Sequence, residues 1–330
     1  MNSKEHVLVT GGAGFIGSHL CETLLEQGRS VTILDNLDPF YDVAIKEQNL
    51  ARLQSLGKDL RMVRGDIRDP DKVREAMEGV SGVIHLAALA GVRPSLERPT
   101  EYWSVNLVGT QTLLDALKGR PEVPFVFGSS SSIYGGNEKV PFHEEDPVDE
   151  PVSPYAATKK AGELCCRVFH HLYGNPVSCL RFFTVYGPRQ RPEMAIHKFT
   201  RLIDEGKKIP MFGDGESSRD YTFVSDIVKG VVASLDRRVD PGDPSSGFRI
   251  YNLGGSATTT LKGLIDRIAS ALGKEALIEQ LPMQPGDVLR TFADVSRAEK
   301  ELGFQAEVPI DQGIPLFVDW YRENKGRTQA

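Results

Sequence analysis

A glycine-rich segment directly after the first apolar run is the feature that most restricts how this chain can fold. The run Val7-Leu8-Val9 is followed by TGGAGFIGSHL, in which Gly11, Gly14 and Gly17 recur at every third position. Glycines at this spacing allow a tight turn and let the backbone approach a pyrophosphate at the start of a helix. The segment has the context that such a turn requires, because a helix is predicted over 15–26.

An acidic residue at the end of the second predicted strand indicates which dinucleotide the turn would hold. Asp35 follows the apolar run 31–34 and lies 18 residues after Gly17 (35 − 17). An acid about 20 residues beyond the glycines typically binds the ribose hydroxyls of an adenosine. Neither Asn36 nor Leu37 is an arginine that would hold a 2′-phosphate, so we favour NAD over NADP. The alternative is a glycine turn followed by a surface aspartate.

Apolar strands alternate with helical stretches through the first half of the chain. Further strands are predicted over 60–63, 82–86, 124–127 and 177–182, and helices over 44–56, 104–118 and 155–173. This alternation predicts a Rossmann-type α/β fold, with a doubly wound parallel sheet covered by helices on both faces. Beyond Phe183, prolines interrupt the pattern, with helices predicted over 194–205, 225–235, 261–272 and 310–321 and a strand over 250–253 that returns to the main sheet.

The change of pattern after Phe183 suggests two units. We expect residues 1–182, joined by about 222–258, to form the NAD-binding domain. Residues 183–221 and 259–330 would form a smaller mixed α/β lobe for the substrate, with the ligand in the cleft between the two units.

Two side chains that suit acid–base chemistry share one face of a predicted helix. Tyr155 and Lys159 lie four residues apart in SPYAATKKAGE, and residues at that separation are neighbours on a helix. A free tyrosine has a pKa of about 10, which a nearby ammonium and a bound cationic ring would lower by favouring the phenolate. A pKa lowered by about three units corresponds to about 4 kcal/mol of differential stabilisation. A surface tyrosine and a solvated lysine are the alternative for this pattern alone.

Together, these motifs resemble those of the extended short-chain dehydrogenase/reductase family. The resemblance rests on the glycine pattern, Asp35, the serine-rich strand end GSSSSIYG and Tyr155-x-x-x-Lys159. GVRPS, RFFTVYGPRQRPEM, FGDGESSRDYTFVSDI and PGDVLRTFADVSRAEKELGF extend it over nearly the whole chain. Within the family, the chain is most similar to the nucleotide-sugar 4-epimerases that act on UDP-glucose and UDP-glucuronate.

The resemblance implies a tightly bound NAD that is regenerated in every turnover. Tyr155 would take the proton of the sugar 4-hydroxyl while hydride leaves C4, and would return it after the 4-keto intermediate has turned over. Lys159 would bind the nicotinamide ribose, and Ser130 would order the 4-oxygen. The expected cofactor contacts are Gly11, Gly14, Phe15, Ile16, Gly17, Asp35, Asn36, Asp66, Ile67, Leu86, Ala87, Ala88, Ala90, Asn106, Tyr155 and Lys159.

Several of these positions have a second interpretation. Asp66 could contact the adenine or cap a helix, and the small side chains 86–90 could line a dinucleotide or serve tight helix–sheet packing. Among the four serines, Ser129 is expected only to satisfy backbone groups at the strand end.

The run of four serines includes no acidic residue, and this absence helps to distinguish epimerisation from elimination. In nucleotide-sugar 4,6-dehydratases and UDP-glucuronate decarboxylases this strand end typically carries a glutamate. Aligned on Ile133-Tyr134-Gly135, the corresponding position here is Ser132, which cannot act as the general acid or base that elimination requires. The resemblance therefore favours oxidation and re-reduction at C4.

Thr184 stands where UDP-glucose epimerases usually have an asparagine, and with YGPRQRP it resembles the UDP-glucuronate 4-epimerases. There, hydroxyls and an arginine hold the substrate carboxylate, and charge-assisted hydrogen bonds would disfavour loss of carbon dioxide from the β-keto acid. UDP-glucuronate is the expected substrate and UDP-glucose the alternative, while a phosphate or surface role stays open for Arg191. The expected substrate contacts are Arg93, Ser130, Ser131, Ser132, Tyr155, Thr184, Arg191, Phe212 (uracil), Asp287 (uridine ribose), and Arg219 and Arg290 (pyrophosphate).

Bulk properties limit the partners and the compartment. A net charge of −6 without a basic stripe argues against a nucleic-acid partner. No apolar run approaches the roughly 18 residues of a membrane helix, and a strand from about His6 leaves no room for a signal peptide. The four cysteines form no C-x-x-C pair, so no metal site is expected, and free thiols point to the cytoplasm. Relatives are commonly homodimers joined by helices that correspond to 104–118 and 155–173.

Overall fold

The structure, a computed structural model, describes residues 5–240, 244–255, 257–282 and 288–325. Its strands are β1 (His6–Thr10), β2 (Ser30–Asp35), β3 (Leu60–Arg64), β4 (Gly82–His85), β5 (Phe125–Ser130), β6 (Val177–Phe182), β7 (Thr184–Tyr186), β8 (Ile209–Phe212), β9 (Ser218–Phe223), β10 (Phe248–Leu253), β11 (Thr258–Thr260) and β12 (Ile278–Leu281). Its α-helices are α1 (Phe15–Glu26), α2 (Val43–Ser55), α3 (Pro70–Ala76), α4 (Val92–Glu97), α5 (Pro99–Tyr102), α6 (Gly109–Ala116), α7 (Pro154–Tyr173), α8 (Ala195–Asp204), α9 (Val224–Leu235), α10 (Leu261–Leu272), α11 (Ser296–Leu302) and α12 (Ile310–Asn324). A π-helix over Trp103–Val108 runs directly into α6.

Seven strands form one parallel sheet in the order β10-β6-β5-β4-β1-β2-β3. Strand β1 pairs with β2 on one side and with β4 on the other, so the winding direction reverses between β1 and β4. In open parallel sheets, ligands bind outside the carboxyl ends of the strands at such a reversal. The predicted Rossmann-type fold is confirmed, and its switch point lies at the end of β1.

Apolar side chains cover both faces of this sheet because successive residues of a strand point to opposite sides. On β1, Val7 and Val9 join the core that includes α1 and α9, whereas Leu8 joins the core that includes α3 and α6. The strands of a sheet buried on both faces are apolar throughout, which explains their uninterrupted runs in the sequence.

Local sequence signals fix the ends of α7, the longest helix that the structure describes. Ser153 caps its start by accepting a hydrogen bond from the Ala156 backbone N–H at 3.1 Å, and Pro154 occupies the first turn. Gly174 ends the helix in the left-handed conformation with φ +80°.

Most of the predicted elements are confirmed, and the differences have local causes. Helices α1 and α10 and strand β6 have the predicted bounds. Strand β5 continues to Ser130, because the serines still pair with β6. The helix predicted over 104–118 contains a π-helical turn. The sequence did not predict the short elements α3, α4, α5, α11, β7, β8, β9, β11 and β12.

The chain leaves the main sheet after β6 and returns to it through β10, which pairs with β6 as predicted. The two crossing points lie side by side, since the Phe183 backbone N–H donates to the Leu253 carbonyl at 3.1 Å. Outside the sheet, β11, β9 and β7 form a three-stranded sheet, and β12 pairs with β8. The division into two domains stays a prediction.

Within the described ranges, no helix combines the length and the apolar character needed to cross a membrane.

Candidate functional site

A cavity of about 560 Å³ runs along the carboxyl ends of β1, β2, β4 and β5. This volume lies in the usual range for small-molecule sites. Its lining includes most of the residues that the sequence nominates: Gly11, Gly14, Phe15, Ile16, Gly17, Asp35, Asn36, Asp66, Ile67, Leu86, Ala87, Ala88, Ala90, Ser130, Ser131, Ser132, Tyr155, Lys159, Thr184, Arg191 and Arg219.

The glycine turn forms one wall of the cavity and leaves no room for side chains. Gly11 has φ +73°, and a Cβ atom there would lie 2.8 Å from the Ala87 backbone nitrogen. A Cβ on Gly17 would lie 2.8 Å from the Gly12 Cα and would overlap the Gly11 carbonyl oxygen. The turn therefore brings the start of α1 and the backbone after β4 to the same surface, as an anion-binding helix start requires.

Asp35 holds this turn in place from the end of β2. It is 7% exposed, and its two carboxylate oxygens accept hydrogen bonds from the backbone N–H groups of Ala13 (3.1 Å) and Leu37 (2.9 Å). The carboxylate thus lies buried at the cavity wall, where it disfavours a second negative group.

A buried chain of hydrogen bonds supports the segment after β4. The Ala87 backbone N–H donates to Thr10 Oγ1 at 3.1 Å, and Thr10 Oγ1 lies 2.7 Å from His85 Nδ1. On the other side of the ring, His85 Nε2 lies 3.0 Å from Thr110 Oγ1, which donates to the Asn106 carbonyl. One neutral tautomer, protonated at Nε2, satisfies every group in this chain. Burial favours the neutral form of the ring, because it lowers the pKa of His85 to about 3.

Asn106 was expected beside the cofactor, but its side chain instead holds the segment 86–90. The amide accepts a hydrogen bond from the Leu89 backbone N–H at 2.8 Å and donates to the Leu89 carbonyl at 3.0 Å. It also donates to Thr158 Oγ1 at 3.0 Å. Asn106 therefore ties the segment after β4 to helix α7 from behind the lining.

The structure excludes one of the two interpretations of Asp66. Helix α3 is capped by Asp69, whose carboxylate accepts hydrogen bonds from the backbone N–H groups of Asp71 and Lys72, so the capping role for Asp66 is wrong. Asp66 lines the cavity and forms an ion pair with Arg68 at 2.6 Å. This pairing lowers the pKa of the Asp66 carboxyl.

The sequence reading missed a group of cavity residues in the segment between β2 and α2. Asp38, Phe40, Tyr41 and Lys46 all line the cavity near Asp35. Lys46 is 7% exposed, and its ammonium donates to the Asp38 carbonyl at 2.7 Å. The dense aromatic and acidic sequence DPFYD was the available signal for this part of the site.

Helix α7 brings Tyr155 and Lys159 against the end of β5. The Tyr155 hydroxyl lies close to Ser130, whose side chain favours the phenolate. The Lys159 ammonium is buried, donates to the Gly128 carbonyl at 2.6 Å and lies 6.0 Å from the centre of the Tyr155 ring. The structure therefore places the three side chains nominated for catalysis next to one another.

The protonation states of this cluster differ from the simple expectation. The sequence reading predicted a lowered pKa for Tyr155, but burial raises it in the protein alone, while Ser130 and the charge of Arg191 act in the opposite direction. Burial also lowers the pKa of Lys159 to about 8, opposed by the charges of Cys166 and Glu163. The apolar surroundings of α7 thus penalise both charged forms.

The serines at the end of β5 have different surroundings. Ser129 Oγ donates to Glu163 at 2.7 Å, so the expectation that it only satisfies backbone groups is wrong. Ser130 Oγ accepts from the Ser132 backbone N–H at 3.2 Å. Ser132 Oγ is buried at the cavity and has no hydrogen-bond partner among the described residues. A polar atom left without a partner there is suited to bind a ligand.

Thr184 and Arg191 approach the same cavity from the segment that follows β6. The Arg191 guanidinium lies 5.6 Å from the centre of the Phe40 ring, and its Nε lies 3.3 Å from Glu193. Its charge acts on Tyr155, so Arg191 is close to that side chain as well as to the segment before α2.

Four of the predicted substrate residues lie away from the lining or outside the described chain. Arg93 and Phe212 contact each other instead, with the guanidinium carbon 5.0 Å from the ring centre. Arg290 lies over Phe292, 5.7 Å from its centre. Asp287 lies outside the described residues.

A Rossmann-type sheet with this glycine turn, and with Ser130, Tyr155 and Lys159 at one cavity, defines a protein of the short-chain dehydrogenase/reductase type. Comparison with known proteins identifies the family within this class. The chain belongs to the family described as GDP-mannose 4,6 dehydratase, whose family model matches residues 8–316.

The matched relatives include epimerases. The chain is 42% identical to a UDP-glucuronate 4-epimerase of Thermodesulfobacterium geofontis, with 97% of each chain covered. It is 35% identical to the UDP-glucuronic acid 4-epimerase of Bacillus cereus, whose crystal structure contains UDP-glucuronic acid and NAD, with a TM-score of 0.89 over 96% of this chain and 99% of that one. The UDP-glucose 4-epimerase of Thermotoga maritima, solved with UDP-glucose, is 31% identical, with a TM-score of 0.85 over 97% of this chain and 99% of that one. The resemblance to nucleotide-sugar 4-epimerases is confirmed.

Proposed function

We propose that this protein is an NAD-dependent epimerase that inverts C4 of a UDP-sugar through a transient 4-keto intermediate, converting UDP-glucuronate to UDP-galacturonate. The observation that carries the proposal is the single cavity that joins the glycine turn to Ser130, Tyr155, Thr184 and Arg191. One such cavity can hold a dinucleotide and a sugar with their reacting carbons side by side.

The cavity suits NAD in three respects. The close approach of Gly11 and Gly17 to their neighbours leaves the start of α1 open to a pyrophosphate. Asp35 presents a buried carboxylate where the adenosine ribose would lie, and its charge disfavours the 2′-phosphate of NADP. Asp66 and Ile67 would flank the adenine, and the segment 86–90 would support the dinucleotide along its length.

When bound, NAD supplies a hydride acceptor and donor for C4. Tyr155 is placed to take the proton from the sugar 4-hydroxyl and to return it, with Ser130 sharing a hydrogen bond at the same oxygen. In the protein alone, burial raises the pKa of Tyr155 despite the opposing effects of Ser130 and Arg191, so further positive charge in the cavity is needed to favour the phenolate. Lys159 is held by Gly128 within the same cluster, where it would bind the nicotinamide ribose.

The distribution of carboxylates argues against elimination. Among the described residues that line the cavity, the acidic ones are Asp35, Asp38 and Asp66, which lie at or just beyond the ends of β2 and β3, on the side proposed for the adenosine. Dehydration would require a general acid or base beside the sugar C5. At the position considered for that role, Ser132 presents a hydroxyl.

Hydroxyls and one guanidinium support UDP-glucuronate as the substrate. Ser131, Ser132, Thr184 and Arg191 line the cavity near Tyr155, and Ser132 Oγ has no partner within the described chain. Charge-assisted hydrogen bonds from these groups would fix the carboxylate in the plane of the C5 substituents, which disfavours decarboxylation of the keto intermediate. UDP-glucose is the alternative substrate, as the likeness to the Thermotoga maritima enzyme indicates.

The proposal is tested by incubating the purified protein, without added cofactor, with UDP-glucuronate and separately with UDP-glucose, and reading the sugar products by proton NMR. We expect UDP-galacturonate from the first incubation and no UDP-galactose from the second. UDP-galactose would shift the assignment to the alternative substrate. A UDP-pentose as the main product would contradict the role given to the hydroxyls.

The carboxylate contacts are tested separately with Thr184→Val and Arg191→Met. We expect slower epimerisation and a larger share of decarboxylated product in both variants, because each loses a group that restrains the carboxylate. An unchanged ratio of the two products would contradict this part of the proposal.

We also propose that the protein is a homodimer. Leu164, Val168 and Leu172 recur every fourth residue along α7 and are 54%, 56% and 62% exposed. Trp103 and Val108, on the π-helix that packs against α7, are also exposed apolar residues. A contiguous exposed apolar face marks an interaction site, and a second copy offers the same face across a two-fold axis.

Sedimentation of Val168→Asp tests this arrangement. A charge placed in the centre of the α7 stripe should convert a dimer to monomers, because it would be buried without a partner. Leu316→Asp is the control, since Leu316 is 50% exposed on α12. A wild-type monomer, or a Val168→Asp dimer, would contradict the proposal.

The remaining assignments rest on resemblance. Arg219 lines the cavity and is the better placed of the two arginines for the UDP pyrophosphate, whereas Arg290, Arg93 and Phe212 would have to move toward the ligand. The cytoplasmic location stays a prediction that rests on four unpaired cysteines.

A further inference from the structure

Three successive turns of α7 hold three successive residues of β5. The Tyr155 hydroxyl lies close to Ser130, Lys159 donates to the Gly128 carbonyl at 2.6 Å, and Glu163 accepts from Ser129 Oγ at 2.7 Å. The three helix residues are four apart and therefore share one face. The first two belong to the catalytic cluster, and the third has no role in the proposed chemistry.

Glu163 is itself held rigidly. It is 2% exposed, and the Arg181 guanidinium donates to both of its carboxylate oxygens at 3.0 Å. Arg181 also donates to Tyr134 Oη at 2.9 Å, and Tyr134 donates to Asn252 at 2.7 Å. A bidentate ion pair of this kind fixes the orientation of a carboxylate more firmly than a single hydrogen bond does.

We propose that Glu163 is a positioning residue: anchored by Arg181, it holds Ser129 so that the end of β5 presents Ser130 to Tyr155, and it places a negative charge one helical turn from Lys159. The expected effect on kcat rests on the proposed epimerase function. The placement of Glu163 beside Ser129 and Lys159 does not depend on that function.

The geometry explains why both effects come from the same carboxylate. Ser129 precedes Ser130 directly, so the bond from its side chain to Glu163 restrains the Ser129 Cα, to which the peptide unit leading to Ser130 is attached. Glu163 lies one helical turn beyond Lys159, and together with the neighbouring Cys166 it opposes the loss of the Lys159 proton that burial promotes. A negative charge beside a buried ammonium favours the charged form.

The test compares Glu163→Gln and Ser129→Ala with Ser178→Ala as the control. Ser178 is a buried serine on the neighbouring strand β6, 3% exposed, and its hydroxyl lies 3.4 Å from the Ser234 carbonyl, away from the cavity lining. The first readout is independent of catalysis: the pH dependence of reductive methylation of Lys159, followed by peptide mass spectrometry. The second is the separation of kcat from KM for the epimerised UDP-sugar.

For Glu163→Gln we expect the midpoint of Lys159 methylation to move to lower pH, and the alkaline limb of the kcat profile to move with it. For Ser129→Ala we expect no change in that midpoint, but a kcat lowered about tenfold at unchanged KM, the usual scale for a lost hydrogen bond to a charged group. Combining Ser129→Ala with Glu163→Gln should add little to the effect of Glu163→Gln, because the two residues act through one contact.

Two results would overturn the inference. One is a Lys159 midpoint in Glu163→Gln equal to that of the wild type. The other is a kcat of Ser129→Ala equal to that of Ser178→Ala, which stays decisive even if Glu163→Gln does not fold. A wild-type protein that epimerises no UDP-sugar would refute the proposed function, while the methylation midpoint would still test the placement of Glu163.

Discussion

Replacing Gly17 by alanine should damage both the glycine turn and the binding of the dinucleotide. The added Cβ would lie 2.8 Å from the Gly12 Cα and 2.9 Å from the Gly11 carbonyl carbon, whereas ordinary contacts begin at 3.4 Å. The start of α1 would therefore have to move by at least 0.6 Å (3.4 − 2.8) to clear the Gly12 Cα, and further to clear the Gly11 carbonyl oxygen. Both neighbours are backbone atoms, so no side chain can rotate to relieve the overlap.

Two opposing free energies determine the size of this effect. Alanine is favoured over glycine inside a helix by about 1 kcal/mol, which would stabilise the variant. Overpacking in a tight interior costs about 1–3 kcal/mol, and a collision between backbones belongs at the upper end of that range. We expect the free energy of unfolding to decrease by about 1–2 kcal/mol, and the affinity for NAD to decrease several-fold.

The assay measures urea unfolding and the NAD released from the purified protein by acid, per mole of chain. Gly136→Ala is the control, because no atom lies within 4 Å of a Cβ at that exposed glycine. If Gly17→Ala matched Gly136→Ala in both stability and NAD content, the argument from close approach would be refuted.

Three further predictions concern charge and pH. Arg181→Met should lower the free energy of unfolding by about 3–5 kcal/mol, because it leaves the Glu163 carboxylate buried without its partner, and urea titration would measure the loss. The pKa of His85 is about 3 in the folded protein and about 6.5 in the unfolded chain, so the unfolded chain binds more protons at pH values between the two. The free energy of unfolding should therefore fall by about 2 kcal/mol between pH 6.5 and pH 5. His85→Gln should reduce this pH dependence. Burial lowers the pKa of Lys159 to about 8, so kcat should decrease as the pH rises through that value; a flat profile to pH 9.5 would contradict a requirement for the ammonium.

The sequence predicted the dinucleotide half of the fold well, because local signals coincide there with tertiary packing. The glycine turn, the apolar runs of β1 and β2 and the helix α1 all follow from spacing alone. The short strands β7, β8, β9, β11 and β12 did not, since three to six residues in a proline-punctuated region carry no readable alternation.

The site was predictable to the extent that its residues occur in motifs. Tyr155, Lys159 and Ser130 are near one another as their motifs indicated. The hydrogen bonds of Asn106 to Leu89 and of Ser129 to Glu163 join residues far apart in the chain, so only a three-dimensional structure could reveal them. The raised pKa of Tyr155 also depends on burial, which spacing does not give.

The adjacent crossing points at Phe183 and Leu253 have a consequence for how such a protein can diversify. The excursion that carries Thr184, Arg191 and Arg219 begins after β6 and ends at β10, two strands that are direct neighbours. A loop whose ends are already held together can change length at little cost, about 0.6 kcal/mol for each doubling. The residues that we propose for sugar recognition can therefore be exchanged within this excursion while the seven-stranded sheet is left unaltered.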